Sequence, residues 1–197
     1  MKRRVFDTMA SAGAIVVVIV LVVAGSLLLV AHDFADGYVH TQLAEQRIRF
    51  PPAAAFDHPD GQEITSSMIP SVSQYAGQQL VTGAEAQVYA NDFIAVHLQH
   101  IGGGKTYAQL SAAAMALPKG SPAYVAAEAK VQSVFQRTTL RGLLLEAYGF
   151  SLMAAIARWS GFALICLAGV LALFAVFGFL HARATDEDEE LLPPRRP

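Results

Sequence analysis

The chain is short of the residues that most often carry chemistry. One cysteine, Cys166, stands among 197 residues, which excludes an intramolecular disulfide framework and any cysteine-rich metal centre. Only 15% of the residues are charged, with 14 Lys+Arg against 16 Asp+Glu and a net charge of -2, where soluble domains usually carry ~25% charged residues. A balance this close to neutral cannot build the basic surface that a phosphate backbone demands, so nucleic acid is not an expected partner.

What the chain does have is apolar length. Hydrophobic residues make up 54% of it and its mean hydropathy is +0.40. The excess sits in two blocks. Met9 to Ala31 is 23 residues without a charge, and Trp159 to Leu180 is 22 more. As a helix the first block is about 34 Å long, enough for a hydrocarbon core of ~30 Å. β-Branched residues such as Val16, Val17, Val18 and Ile19 are no obstacle there, because a single spanning segment satisfies its backbone only as a helix. A cleaved signal peptide is the rival reading of the first block, with Met1-Lys2-Arg3-Arg4 as its n-region and Val22-Val23-Ala24 as the cleavage site. The apolar stretch exceeds the ~7–15 residues of a signal core, so an uncleaved anchor is expected.

The fold class expected is therefore an all-α membrane protein, two transmembrane helices (9–31 and 159–180) flanking a mainly helical extracytoplasmic domain (32–158). Lys2, Arg3 and Arg4 precede the first span, and Arg183, Arg195 and Arg196 follow the second. The positive-inside rule then places the basic N-terminus (1–8) and the tail (181–197) in the cytoplasm, with the plasma membrane as the location. Arg158 and Trp159 are the expected interfacial anchors. The tail carries Asp186-Glu187-Asp188-Glu189-Glu190 before a proline-rich end, too polar to fold alone, and either recruits a basic protein or stays solvated.

Between the spans the signals are helical. Val39, Leu43, Ile48 and Phe50 make an imperfect stripe that continues the first helix until Pro51-Pro52 stops it. From Pro51 to about Gln74 the residues read as loop and turns. Thr82-Gly83-Ala84-Glu85 is a capping box, opening a helix that Gly102-Gly103-Gly104 ends. Thr106 opens a short helix through Met115, closed near Pro118-Lys119-Gly120. Ser121-Pro122 caps another through Val134 and Phe135. From Thr138 no proline interrupts the run into the second span, predicting one long helix or an interfacial helix bent near Gly149 or Gly161. No alternating strand pattern is present.

The chemical motifs are few. Gly102-Gly103-Gly104-Lys105-Thr106 resembles the end of a P-loop, but the required first glycine is Gln99 and a helix precedes it, so no nucleotide is expected. His97 and His100 share a helical face and Asp92 lies nearby, which makes these three the candidate metal ligands. A site needs three or four ligands at fixed distances with a supporting shell, so packing histidines, no metal and no cofactor are expected. Asp57-His58-Pro59-Asp60 is turn chemistry. Cys166 lies inside a span, where a thiolate is disfavoured, and no serine sits in a nucleophile elbow. Arg141 and Glu146 could pair locally. No catalytic residue is expected. The spans carry no ionisable residue, against a proton or ion pathway. Gly161, Ala168, Ala172 and Ala175 lie on roughly one face and permit close helix approach, either within a hairpin or to a neighbouring helix.

Gln42-Leu43-Ala44-Glu45-Gln46-Arg47-Ile48-Arg49-Phe50-Pro51-Pro52, Tyr75-Ala76-Gly77-Gln78-Gln79-Leu80, Tyr89-Ala90-Asn91-Asp92-Phe93-Ile94-Ala95-Val96-His97-Leu98 and Thr139-Leu140-Arg141-Gly142-Leu143-Leu144-Leu145 together give the chain a resemblance to a family of small actinobacterial two-span membrane proteins. The likeness runs from the first span to the second. It implies a membrane protein and no particular active residues. Some members carry an automatic description as aromatic ring-opening dioxygenases. Such iron chemistry wants two histidines and a carboxylate around an open metal position, and Asp92, His97 and His100 spread around one helix cylinder.

The function expected is non-catalytic: an accessory or scaffold subunit of a plasma-membrane or cell-envelope assembly. It would work in contact with the lipid bilayer and with other membrane proteins or a second copy. The alternatives are an extracytoplasmic small-molecule or metal sensor with a separate cytoplasmic partner, and an envelope enzyme. The topology has a direct test on a Cys166→Ser background. Cysteine at Lys119 should react with a membrane-impermeant maleimide on intact cells, and cysteine at Leu191 only after permeabilisation. The reverse pattern would overturn the orientation.

Overall fold

A computed structural model describes residues 2–57, 59 and 63–185. The acidic tail and part of the Asp57–Asp60 turn fall outside these residues. The described chain is all-helical, with α1 (Arg3–Gln46), α2 (Ala54–Asp57), α3 (Ile69–Val72), α4 (Gly83–Val88), a π-helical turn (Tyr89–Ile94), α5 (Ala95–Gly102), α6 (Tyr107–Met115) and α7 (Pro122–Ala184). Two of these, α1 and α7, are long and apolar enough to cross a membrane. The chain divides into two compact units, Met1–Phe34 with Ala154–Pro197, and Ala35–Met153.

The first unit is a hairpin of the apolar parts of α1 and α7, held together by small residues. Ala154, Gly161, Ala168, Ala175 and Ala182 recur every seven residues along α7, and all five are buried. A strict seven-residue period keeps one seam of a helix facing its partner. On α1 the facing positions include buried Ser11 and Gly25. At the closest point a Cβ on Gly161 would lie 2.9 Å from the Gly25 carbonyl oxygen, and one on Gly25 would lie 2.8 Å from Ile165 Cγ1. Glycine is required at both places because backbone approaches backbone. His32 Nδ1 meets the Ala154 carbonyl oxygen at 3.0 Å and ties the same seam. The large apolar side chains point the other way: Val16, Val20, Leu27 and Val30 on α1 and Leu173, Phe174 and Phe177 on α7 are exposed.

The second unit has a conventional core. Its fully buried centre is Met68, Val72 and Leu80, joined by Val39, Leu43, Phe50, Ile64, Ala86, Ala90, Ile94 and Leu144. The stripe expected to continue α1 to the prolines ends sooner, at Gln46, because Arg47 takes a left-handed conformation (φ 52°). Ile48–Pro51 then runs antiparallel to 77–80. Phe50 N–H donates to the Gln78 carbonyl and Leu80 N–H to that of Ile48, both at 2.9 Å, around a single bridge between Arg49 and Gln79. Gln79 Nε2 also donates to the Ala44 carbonyl at 2.8 Å, satisfying one of the free acceptors at the end of α1.

The region read as loop and turns contains α2, α3 and a 3-10 turn (Ser73–Tyr75). Their lengths give no periodicity to detect; α3 is held because Met68 at its cap and Val72 are core residues, and α2 packs half-buried Ala55 and Phe56 against the same core. Both expected helix starts before the last helix are capping boxes. Thr82 Oγ1 accepts from Glu85 N–H, and the buried Glu85 carboxylate accepts from the amides of Val81 and Thr82, each at 2.8 Å. Thr106 pairs with Gln109 in the same way. Gly83 lets the start of α4 lie on α7, since a Cβ there would fall 2.3 Å from Ser151 Cβ. Ser121 Oγ accepts from Tyr124 N–H and opens α7, which carries through Gly149 and Gly161 as one helix.

Gly161→Leu should therefore weaken the hairpin by about 1–3 kcal/mol, the usual cost of overpacking, read as an earlier midpoint when the full chain in mixed micelles is titrated with dodecyl sulfate. Gly169→Leu is the control, because a Cβ there meets nothing within 4 Å. Equal effects at the two positions would refute the seam.

Candidate functional site

The residues named for chemistry are gathered on the helical run from Gly83 to Gly102 and on the α7 segment that packs with it. The run opens as an α-helix, widens into a π turn at Tyr89–Ile94, and closes as an α-helix. In the wide turn Ala95 N–H reaches the Ala90 carbonyl five residues back. Such turns occur mostly as local insertions in helices, frequently at functional positions.

The wide turn is held from outside the run. Arg141 on α7 donates through Nε to the Ala90 carbonyl at 3.2 Å and through Nη2 to Asn91 Oδ1 at 2.8 Å. This corrects the expected local pair with Glu146. Residues five apart on a helix do not share a face, whereas the π turn offers two acceptors in the plane of the guanidinium.

The turn also orders a row of rings. Tyr75 stacks on Phe50 at 5.1 Å, Phe50 meets Tyr89 edge-on at 5.2 Å, Tyr89 leans on Phe93 at 4.8 Å, and Phe93 meets the His97 imidazole edge-on at 4.5 Å. Offset and edge-to-face contacts at these separations suit the ring quadrupoles. Burial raises the Tyr89 phenol above the usual tyrosine range, and the Arg137 charge pulls partly against that.

The three candidate ligands separate in this geometry. His97 is buried in the ring row, and its Nδ1 meets the Phe93 carbonyl oxygen at 2.8 Å, so that nitrogen is the donor and is committed to the helix. His100 is exposed and Asp92 is half-buried. Among the described residues no three His, Cys, Asp or Glu side chains come together as an ion would require.

The glycine-rich turn after α5 ends that helix. Gly103 is left-handed (φ 60°) and Gly104 follows at φ 75°. The amides of Gly103, Gly104 and Lys105 bond back to the carbonyls of His100, Gln99 and Gly102, and Thr106 N–H donates to Gln109 Oε1 at 2.9 Å. A phosphate cradle needs amides directed at the ligand; these are spent inside the turn.

Two concavities lie in this unit. One is a cleft of about 560 Å³ between the glycine-rich turn and α7, bounded by Gln99, Lys105, Tyr107, Val134, Thr138 and Arg141. The other is a groove of about 500 Å³ between α1 and α7, with Leu43, Ile48 and Leu144 at its floor and exposed Tyr38, Leu143 and Phe150 among its walls. The remaining named residues belong to the other unit. Gly161, Ala168 and Ala175 are buried in the seam with Ala172 half-buried, so the hairpin itself occupies that small-residue face. Arg158 lies over the ring of exposed Trp159 at 5.2 Å.

Hydrogen bonds from a charged donor contribute about 1.5–3 kcal/mol. Arg141→Ala should therefore lower the stability of the full chain by that order in a denaturant titration. In a double-mutant cycle with Asn91→Ala, the combined loss should fall short of the sum of the two single losses. Additive losses would dissociate Arg141 from the π turn.

No protein-family model matches this chain, and no curated protein or solved structure is found to be similar to it.

Proposed function

We propose that this protein is a non-catalytic integral protein of the plasma membrane, an accessory or scaffold subunit of a membrane or cell-envelope assembly. Its termini lie in the cytoplasm and the Ala35–Met153 unit outside. One observation carries the membrane reading: the hairpin packs a seam of small residues inward, Gly25, Gly161, Ala168 and Ala175 among them, and turns large apolar side chains such as Val16, Leu27, Leu173 and Phe174 outward. In water that arrangement would expose an apolar surface far beyond the few hundred Å² tolerated by soluble monomers. In a bilayer it costs little, because lipid solvates the large side chains and close backbone packing holds the helices.

A scaffold role is supported by what the outer unit presents. Glu85 and Gln109 are engaged in caps, Arg49 in its contact to Gly77 and Arg141 in the latch, while Tyr38, Leu143 and Phe150 stand exposed around an apolar groove. Exposed aromatic and aliphatic side chains clustered in a groove are the usual anchors of protein interfaces.

Affinity purification from native membranes should recover one other membrane or envelope protein in fixed stoichiometry. A photo-crosslinker at Leu143 should join the two, and Leu143→Glu should reduce co-purification at least tenfold, the equivalent of ~1.4 kcal/mol. A lone monomer that forms no crosslink would refute the scaffold reading.

A further inference from the structure

The cleft beside the glycine-rich turn has a lining unlike the rest of the outer unit. It carries two cations, Lys105 and Arg141, and no carboxylate. Neither cation has an ion-pair partner among the described residues. Arg141 is half-buried, so part of its hydration is lost, and its acceptors in the fold are a carbonyl and an amide oxygen, both neutral. A partly desolvated cation served only by neutral acceptors favours an incoming anion.

The latch to the π turn also makes Arg141 a prepared ligand. Two of the five guanidinium N–H donors are spent on Ala90 and Asn91, which leaves three on a group whose orientation is already fixed. Binding to a pre-oriented side chain avoids most of its ordering cost. Lys105 borders the same cleft from the turn that follows α5, where the consecutive left-handed glycines Gly103 and Gly104 redirect the chain. The Thr138 and Tyr107 hydroxyls add hydrogen-bonding capacity, and Val134 with the Tyr107 ring supplies an apolar wall.

We propose that this cleft binds a phosphate monoester: a dianionic head between Lys105 and Arg141, with its apolar substituent against Val134 and Tyr107. Two cations match the charge of the dianion. The hydroxyls and the free guanidinium donors match its several acceptor oxygens. The head could belong to a soluble ester or to a lipid, and the inference does not depend on the scaffold reading.

The test uses the full chain in phosphatidylcholine nanodiscs at pH 8, where a phosphate monoester is dianionic, titrated calorimetrically with phenyl phosphate. Saturable one-site binding is expected with a Kd at or below about 1 mM, weakened by salt and about tenfold by Lys105→Ala. Lys105 is exposed on a turn, so that variant should fold. Benzyl alcohol, which lacks the charge, should not bind. Discs containing phosphatidic acid separate the two sources: competition with phenyl phosphate identifies a lipid head, and unchanged affinity a soluble ester, both with the same Lys105 dependence. Absence of saturable binding, or binding that Lys105→Ala leaves unchanged, would overturn the proposal.

Discussion

The close approach of Gly161 to the Gly25 carbonyl sets the terms for the hairpin unit. Once two helices touch at that distance, the positions one to three heptads away along the seam must also be small, and on α7 they are: Ala154, Ala168, Ala175 and Ala182. Small residues supply little apolar area, so ordinary burial contributes little to this seam. Its cohesion comes from many close dispersion contacts between closely approaching backbones. The large side chains then have nowhere to go but outward. One steric requirement thus fixes both the narrow seam and the apolar exterior.

The outer unit uses a different economy. Its helices are short, apart from its stretches of α1 and α7, and a short helix is marginal by itself. Stability there comes from specific closures: two capping boxes, the pairing of Ile48–Pro51 with 77–80, Gly83 resting on Ser151, and Arg141 pinning the wide turn. Phe50 links several of them. It is buried between Tyr75 and Tyr89, and its amide donates into the pairing, so the end of α1 and the run from Gly83 are joined through one residue.

Much of this was legible in the residues, for local reasons. Thr82 with Glu85 and Thr106 with Gln109 are caps because both partners lie within one turn, and Ser121-Pro122 marks its helix equally directly. The two apolar helices are plain from their uncharged length. The seam was half visible. Gly161, Ala168, Ala172 and Ala175 are recognisable as small residues, but the controlling period is seven, which brings in Ala154 and Ala182 and leaves Ala172 to the side. The π turn has no signature in Tyr89–Ile94, since the same residues fit an α-helix. What selects it is an arginine about fifty positions away, a contact that exists only in three dimensions. The cleft was invisible for the same reason: Lys105 and Arg141 become neighbours only after the chain has turned back on itself.

A π turn holds one residue more than an α-helix would use to cover the same distance. Deleting Asn91 or Asp92 would let the segment relax into a regular helix without a break. Everything beyond it would then rotate by about 100° relative to everything before it. Tyr89 would keep its place against Phe50, while Phe93 and His97 would swing out of the ring row and the Ala90 carbonyl would be drawn back into the helix. The extra residue therefore acts as a phase marker, setting the angular position of the glycine-rich turn about the helix axis. A homologue lacking it would share the helices and not the cleft.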